Sequence, residues 1–189
     1  MHYLKLNYLC SALPLCFLCA GLTANAFAEN CQIQLSQTTL DYGNLTRAAI
    51  KDKQSSSQKS SLGDRALTLN VLCQQPTAMG LAIEGLGAQD GFKFGESGQF
   101  VMRLSDALLD GKPVNLGSSQ ASGTLVIKPS ASVLVVPGSN VFPLNGEHLS
   151  KGKSLSLQVH IAPEVTEAAT RVRAQTTWEG NAIFSVVEN

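Results

Sequence analysis

The chain has 189 residues, and its 14 Lys and Arg are balanced by 14 Asp and Glu, so its formal charge is zero. Binding to nucleic acid or to an anionic membrane surface favours clustered basic residues. The densest basic stretch, residues 51–59, is diluted by serine and predicts a solvated loop. Charge and composition therefore argue against both kinds of partner.

The first 28 residues have the layout of a cleaved signal peptide. Lys5 precedes an apolar stretch from Tyr8 to Leu22, and the small-residue site Ala26-Phe27-Ala28 follows it. An uncleaved membrane anchor is the alternative, because the stretch could just span a bilayer. We expect residues 1–28 to be removed and residues 29–189 to form a single exported domain.

Two cysteines remain after export, Cys31 and Cys73, because the other three lie inside the predicted signal peptide. Two cysteines in an exported chain predict a disulfide. A zinc site would need more ligands, and the only histidines of the mature chain, His148 and His160, lie far away in sequence. We therefore expect no metal and no cofactor.

Apolar residues recur at every second position in several segments, which is the period of a half-buried strand. The clearest cases are Leu67 to Cys73 and Leu155 to Ile161. Further strands are predicted at Gln32 to Leu35, Leu81 to Glu84, Phe100 to Leu104, Gly123 to Ile127, Val133 to Val136 and Ala182 to Val187. Turn pairs separate them at Asp90-Gly91, Asp110-Gly111, Pro137-Gly138 and Asn145-Gly146. This spacing predicts an all-β sandwich, with a loop or short helix at Pro163 to Arg171.

No motif predicts catalysis. The glycines of Gly85 to Gly91 do not match a phosphate-binding spacing, and Gly95-Glu96-Ser97-Gly98 lacks the second glycine of a nucleophile elbow. Asp106 and Asp110 are candidates for an acid–base pair. Asp106 lies in the approach to an Asp-Gly turn, however, and Asp110 is the first residue of that turn. The sequence therefore predicts a protein that is not an enzyme.

Four features together carry a family resemblance. They are the early Cys31, the segment Leu40-Asp41-Tyr42-Gly43-Asn44-Leu45, Cys73 at the end of an alternating strand, and the tail in which Gly180 is followed by Ala182, Phe184 and Val186. With these features the chain resembles the structural subunits of bacterial chaperone–usher fimbriae. It looks closest to an uncharacterised fimbrial-like branch of that family, in which a stretch such as Leu109 to Val114 is also typical.

The resemblance implies an immunoglobulin-like (pilin-type) β-sandwich that lacks its last strand. A donor strand from another polypeptide would fill the open groove, and Gly180, Ala182, Phe184 and Val186 would form the edge that meets it. The implied partners are a periplasmic fimbrial chaperone, an outer-membrane usher and neighbouring subunits. The implied function is adhesion or surface structure without enzymatic activity, at the cell surface or in the periplasm.

Two departures leave alternatives open. Cleavage after Ala28 leaves only Glu29 and Asn30 before the first cysteine, so either the subunit ends a fibre or cleavage occurs earlier, for example after Ala20. The C-terminus also lacks the penultimate tyrosine common in the family. The second hypothesis is a self-contained secreted module that binds carbohydrate or protein through loops such as Gly85 to Gly91 or Gly117 to Gly123. In that case the tail would be an ordinary core strand.

Overall fold

The computed structural model describes residues 30–52, 59–120, 125–172 and 174–188. The predicted signal peptide and its cleavage site lie outside these ranges, and the cleavage stays a prediction. The described chain consists mainly of β-strands, which form two antiparallel sheets. The expected all-β sandwich is therefore confirmed.

The first sheet has a long central strand, β13 (Gly152–Thr166), that pairs with three other strands. The strand order of this sheet is β1 (Cys31–Leu35), β3 (Arg65–Thr77), β13 (Gly152–Thr166), β6 (Gly98–Leu109) and β10 (Ser132–Val135). Three short strands pair at its margins: β2 (Lys59–Ser61) with β13, and β5 (Phe92–Phe94) and β7 (Lys112–Pro113) with β6.

The second sheet ends in the C-terminal strand. Its order is β14 (Ala182–Glu188), β4 (Met79–Gly85), β11 (Ser139–Asn145), β8 (Asn115–Gln120) and β9 (Leu125–Ser130), with β12 (His148–Leu149) paired to β11. Helical structure in the described chain is limited to α1 (Arg47–Lys51) and a 3₁₀ turn at Ala168–Thr170.

The core lies between the sheets and follows from the alternating pattern. Leu69 of β3 stands opposite Leu157 of β13, and both are essentially inaccessible to solvent. From the second sheet, Leu81 and Ile83 of β4 join the same apolar cluster. Burying each side chain of this size stabilises the fold by about 1.5–3 kcal/mol. The strands with the clearest alternation therefore form the centre of the sandwich.

Cys31 and Cys73 form a disulfide with an S–S distance of 2.04 Å, as the sequence predicted. The two residues stand directly opposite each other in the β1–β3 ladder, and both are buried. The bond therefore fixes the edge strand β1 to its neighbour β3.

The predicted turn at Asp110-Gly111 connects β6 and β7. Both residues have positive φ, 49° at Asp110 and 75° at Gly111, as a two-residue type I′ hairpin requires. The Asp110 carboxylate accepts backbone hydrogen bonds from Lys153 at 2.9 Å and Ser154 at 2.8 Å. These bonds lower its pKa and tie the turn to the start of β13.

The segment expected to be a loop or short helix is partly a strand. Residues from Pro163 to Thr166 continue β13, where Glu164 pairs with Ser61 of β2 on one side and with Gln99 of β6 on the other. Only Ala168–Thr170 forms a helical turn. Pairing on both edges outweighs the low strand preference of proline and glutamate here.

Candidate functional site

The C-terminal strand has one paired and one unpaired edge. β14 pairs with β4 along its whole length, from Ala182 opposite Gly85 to Glu188 opposite Met79. Among the described residues no strand pairs with its other edge. β1 is the corresponding edge of the first sheet and lies on the same side of the sandwich as β14. An unpaired strand edge exposes backbone donors and acceptors to whatever approaches it.

An apolar groove of about 630 Å³ lies beside this edge. One wall is the segment from Leu35 to Tyr42, and the other runs from Trp178 to Phe184. Core side chains of the first sheet line it from below, namely Leu67, Phe94, Phe100, Met102, Ile161 and Pro163. The groove therefore combines a backbone edge with an apolar floor.

In the described part of the chain, the first wall forms no backbone pairing with a strand beyond Ser36. Tyr42 holds it in place instead. The Tyr42 hydroxyl donates to the carbonyl of Ile161 at 3.1 Å, and the Arg65 guanidinium lies 5.0 Å from the ring centre. Burial raises the pKa of Tyr42, while the Arg65 charge opposes and the Asp64 charge adds to this shift. Asp41 closes a local turn by accepting the backbone N–H of Gly43 at 2.8 Å. The motif noted in the sequence at Leu40 to Leu45 thus builds one side of the groove.

The second wall begins where the chain approaches β14. The backbone N–H of Gly95 donates to the Glu179 carbonyl at 2.8 Å, and the Trp178 ring packs on Gly95. A Cβ at Gly180 would stand 2.6 Å from the Lys93 carbonyl oxygen and 2.8 Å from the Phe100 ring. Glycine at position 180 therefore permits this segment to lie directly on the floor.

The four residues predicted for the edge occupy different places. Gly180, Ala182 and Phe184 line the groove, whereas Val186 does not. Ala182, Phe184 and Val186 are all half-buried and pack against the core, while the intervening Ile183 is exposed. Their role in meeting a partner strand stays a prediction.

Sequence reasoning missed most of the groove. Leu35 and Tyr42 on the opposite wall, and Phe100 and Met102 in the floor, come from distant parts of the chain. The available signal was the apolar and aromatic character of Leu40, Tyr42 and Leu45. The sequence pattern does not indicate which residues these side chains contact.

Polar side chains connect the two sheets beyond one end of the groove. The Asn30 side-chain amide donates to Thr77 Oγ1 at 2.8 Å and to Glu188 Oε2 at 3.1 Å. Its oxygen accepts the backbone N–H of Gln75 at 3.3 Å. These bonds connect the end of β14 to the β1–β3 edge of the other sheet.

The other end is open. A second cleft of about 870 Å³ continues from the groove and shares Leu40, Tyr42, Phe94 and Trp178 with it. The buried side chains of Ile50 and Leu62 form part of its lining. An elongated occupant of the groove could therefore extend past Trp178.

The two residues considered for catalysis lie at an irregularity of a strand and in a turn. Asp106 has a φ of 52° and sits where the β6–β13 register shifts, and Asp110 forms the turn described above. Within the described ranges no three His, Cys, Asp or Glu residues are grouped to hold a metal ion. No helix in those ranges is long and apolar enough to span a membrane.

No protein-family model and no curated protein sequence matches the chain. Among solved structures, the chain is similar to the P pilus rod subunit PapA, whose structure was determined by crystallography. The TM-score is 0.36 and the sequence identity 12%, over 85% of this chain and 100% of that chain. A likeness of this degree does not establish a function.

Proposed function

We propose that the protein is a non-enzymatic fimbrial or fimbrial-like subunit that completes its sandwich with a strand from another polypeptide. The observation that carries the proposal is the unpaired edge of β14 beside an apolar groove. An added strand would bond to this edge through its backbone, and its alternate side chains would enter the groove. The same surface left uncovered would favour aggregation.

The position of Phe184 supports this occupant over a compact small molecule. Phe184 and Ala182 alternate with exposed Ile183 and Ser185, so the side chains that line the groove lie two residues apart along the open edge. An extended strand has the same two-residue period. Its apolar side chains would meet those of β14 on the core side while its other side chains faced solvent.

The partners follow from this proposal. A periplasmic chaperone would cover the groove after export, an outer-membrane usher would assemble the subunit, and a neighbouring subunit would supply the final strand. The disulfide is compatible with this route, because such bonds persist in oxidising compartments. The resulting location is the cell surface or the periplasm, and the role is adhesion or surface structure.

The test uses the exported, purified chain and a fluorescein-labelled five-residue peptide of alternating valine and threonine. We expect the peptide to bind and to reduce self-association in sedimentation velocity measurements. Phe184→Asp should abolish binding, because it places a charge on an apolar wall of the groove. Ser185→Asp is the matched control: it adds the same charge one residue away on the exposed face and should bind as the original protein does.

Three results would refute the proposal: the peptide fails to bind, Ser185→Asp weakens binding as much as Phe184→Asp does, or the protein alone stays monomeric without the peptide. A monomer that binds no strand would instead match the alternative of a self-contained secreted binding module.

A further inference from the structure

The groove opens along only part of β14. Ala182 and Phe184 line it, but the next residue on the same face, Val186, does not. Two residues further on, Glu188 is bonded to Asn30. The unpaired backbone edge is therefore longer than the space beside it.

Asn30 is hydrogen-bonded to the neighbouring strand of the first sheet. Its side chain bonds to Thr77 and to the backbone of Gln75, and its carbonyl accepts the backbone N–H of Gln74 at 2.9 Å. All three partners belong to β3. An asparagine amide has two N–H donors, and here one goes to Thr77 while the other reaches Glu188. The bond to the Glu188 carboxylate is charge-assisted and lies at the exposed end of β14.

β1 and β14 are in contact, so no strand fits between them where they meet. A strand inserted there would set the two about 9.6 Å apart, twice the usual spacing of about 4.8 Å. Some of their Cα atoms instead lie within 8 Å of each other, and the Asn30 side chain, next to β1, bonds to Glu188 at the end of β14 at 3.1 Å. A strand that extended alongside Glu188 would have to break this bond.

We propose that the Asn30–Glu188 contact determines the length of the strand that the groove accepts, an inference that rests on the proposed function. The partner is a short extended peptide segment that lies along Gly180 to Phe184 and enters from the open end at Trp178. An extended segment of five residues spans about 17 Å at 3.3–3.4 Å per strand residue. Asn30 is thus a specificity-determining residue: it excludes strands that continue in the direction of Glu188.

The experiment compares two labelled peptides of alternating valine and threonine, five and nine residues long, by fluorescence anisotropy on the full exported chain. Glu188→Ala removes only the acceptor of the contact. Glu188→Gln keeps a carbonyl oxygen that can accept the same bond and is the matched control. Asn30→Ala is a second variant that opens the contact from the other side.

We expect the original protein and Glu188→Gln to bind both peptides with the same affinity, because the extra residues find no edge to pair with. Glu188→Ala and Asn30→Ala should bind the nine-residue peptide about tenfold more tightly than the five-residue one, a difference of ~1.4 kcal/mol. If the contact had a purely structural role, its loss would weaken the binding of both peptides equally. The ratio of their two affinities would then stay unchanged.

The inference is overturned if the original protein already prefers the longer peptide by the same factor as Glu188→Ala, or if neither opened variant gains a preference. Failure of the proposed function gives a different result, in which the five-residue peptide binds neither the original protein nor any variant.

Discussion

The indole ring of Trp178 packs directly against the backbone of Gly95. A Cβ added to residue 95 would stand 2.6 Å from Cδ1 of the ring, closer than packed side chains approach. The backbone N–H of Gly95 also donates to the carbonyl of Glu179, the residue after the tryptophan. The turn between β5 and β6 thereby positions the segment that leads into β14, although the two lie far apart in sequence.

Gly95→Ala should destabilise the protein for two separable reasons. Gly95 has a φ of 60°, and a left-handed conformation costs an alanine about 1–2 kcal/mol. The contact with Trp178 adds about 1–3 kcal/mol of overpacking. Urea unfolding followed by the fluorescence of Trp178, the only tryptophan of the chain, measures the sum.

Gly111→Ala is the matched control, because Gly111 has a φ of 75° and no atom lies within 4 Å of its added Cβ. It should show the conformational cost alone and leave the Trp178 emission maximum unchanged. Equal losses in the two variants would contradict the close packing of Trp178 on Gly95.

Removal of the disulfide should lower the free energy of unfolding by about 2–4 kcal/mol. Cys31→Ala combined with Cys73→Ala removes both sulfurs, and the midpoint of urea unfolding measures the loss. Dithiothreitol should lower the midpoint of the original protein and leave that of the double variant unchanged. An original protein whose midpoint does not respond to reduction would contradict the bond.

Asp110 should contribute a pH-dependent part of the stability. Backbone N–H groups of Ser154 and Lys153 hold the pKa of its carboxyl below the usual value of about 3.9. A depressed pKa in the folded state gives stability that is present above the unfolded pKa and is lost as the pH falls through the folded one. Asp110→Asn keeps a residue that tolerates positive φ but removes the titration.

Urea midpoints measured from pH 7 down to pH 2 check this prediction. The original protein should be the more stable at pH 7, and its advantage over Asp110→Asn should shrink below about pH 4. A difference that stays constant across the range would show that the Asp110 charge is not coupled to folding.

Local patterns predicted the strands that build the core. The alternation at Leu67 to Cys73 and Leu155 to Ile161 lies within β3 and β13, because one face of each strand is buried. The Asp110-Gly111 hairpin was predictable because few residue pairs adopt two consecutive positive φ values. Sequence information was sufficient wherever burial or turn geometry acts on neighbouring residues.

Elements with mixed burial were not predicted. β11 has buried Val141, Phe142 and Leu144, so that both of its faces are covered and its sequence does not alternate. The helix α1 has only five residues, and its one signal is the Thr46 side chain, which accepts the backbone N–H of Ala49 at 3.3 Å. A motif this short occurs often outside helices.

The groove was only half predictable for a related reason. The tail from Gly180 to Val186 has a strand pattern that can be found locally, but its opposite wall depends on where Leu35 to Tyr42 crosses the first sheet. That crossing is set by contacts over long sequence distances, such as the bond from Tyr42 to Ile161. Local periodicity contains no information about such pairs.

Tyr42 should titrate above the usual tyrosine pKa of about 10, because its burial disfavours the phenolate. A raised pKa in the folded state means that stability falls as the pH rises through the unfolded pKa, since only the unfolded chain then loses the proton. Tyr3 and Tyr8 lie in the predicted signal peptide, so Tyr42 is the only tyrosine of residues 29–189. Phenolate absorbance therefore measures its ionisation alone.

Arg65→Gln sharpens the test. Removing the Arg65 charge over the ring should raise the pKa of Tyr42 further, because that charge favours the phenolate. Tyr42→Phe should remove the alkaline loss of stability and cost about 1 kcal/mol at pH 7 through the lost bond to Ile161. If Arg65→Gln left the titration unchanged, Arg65 would not lie over the ring in solution, and this part of the groove wall would be held differently.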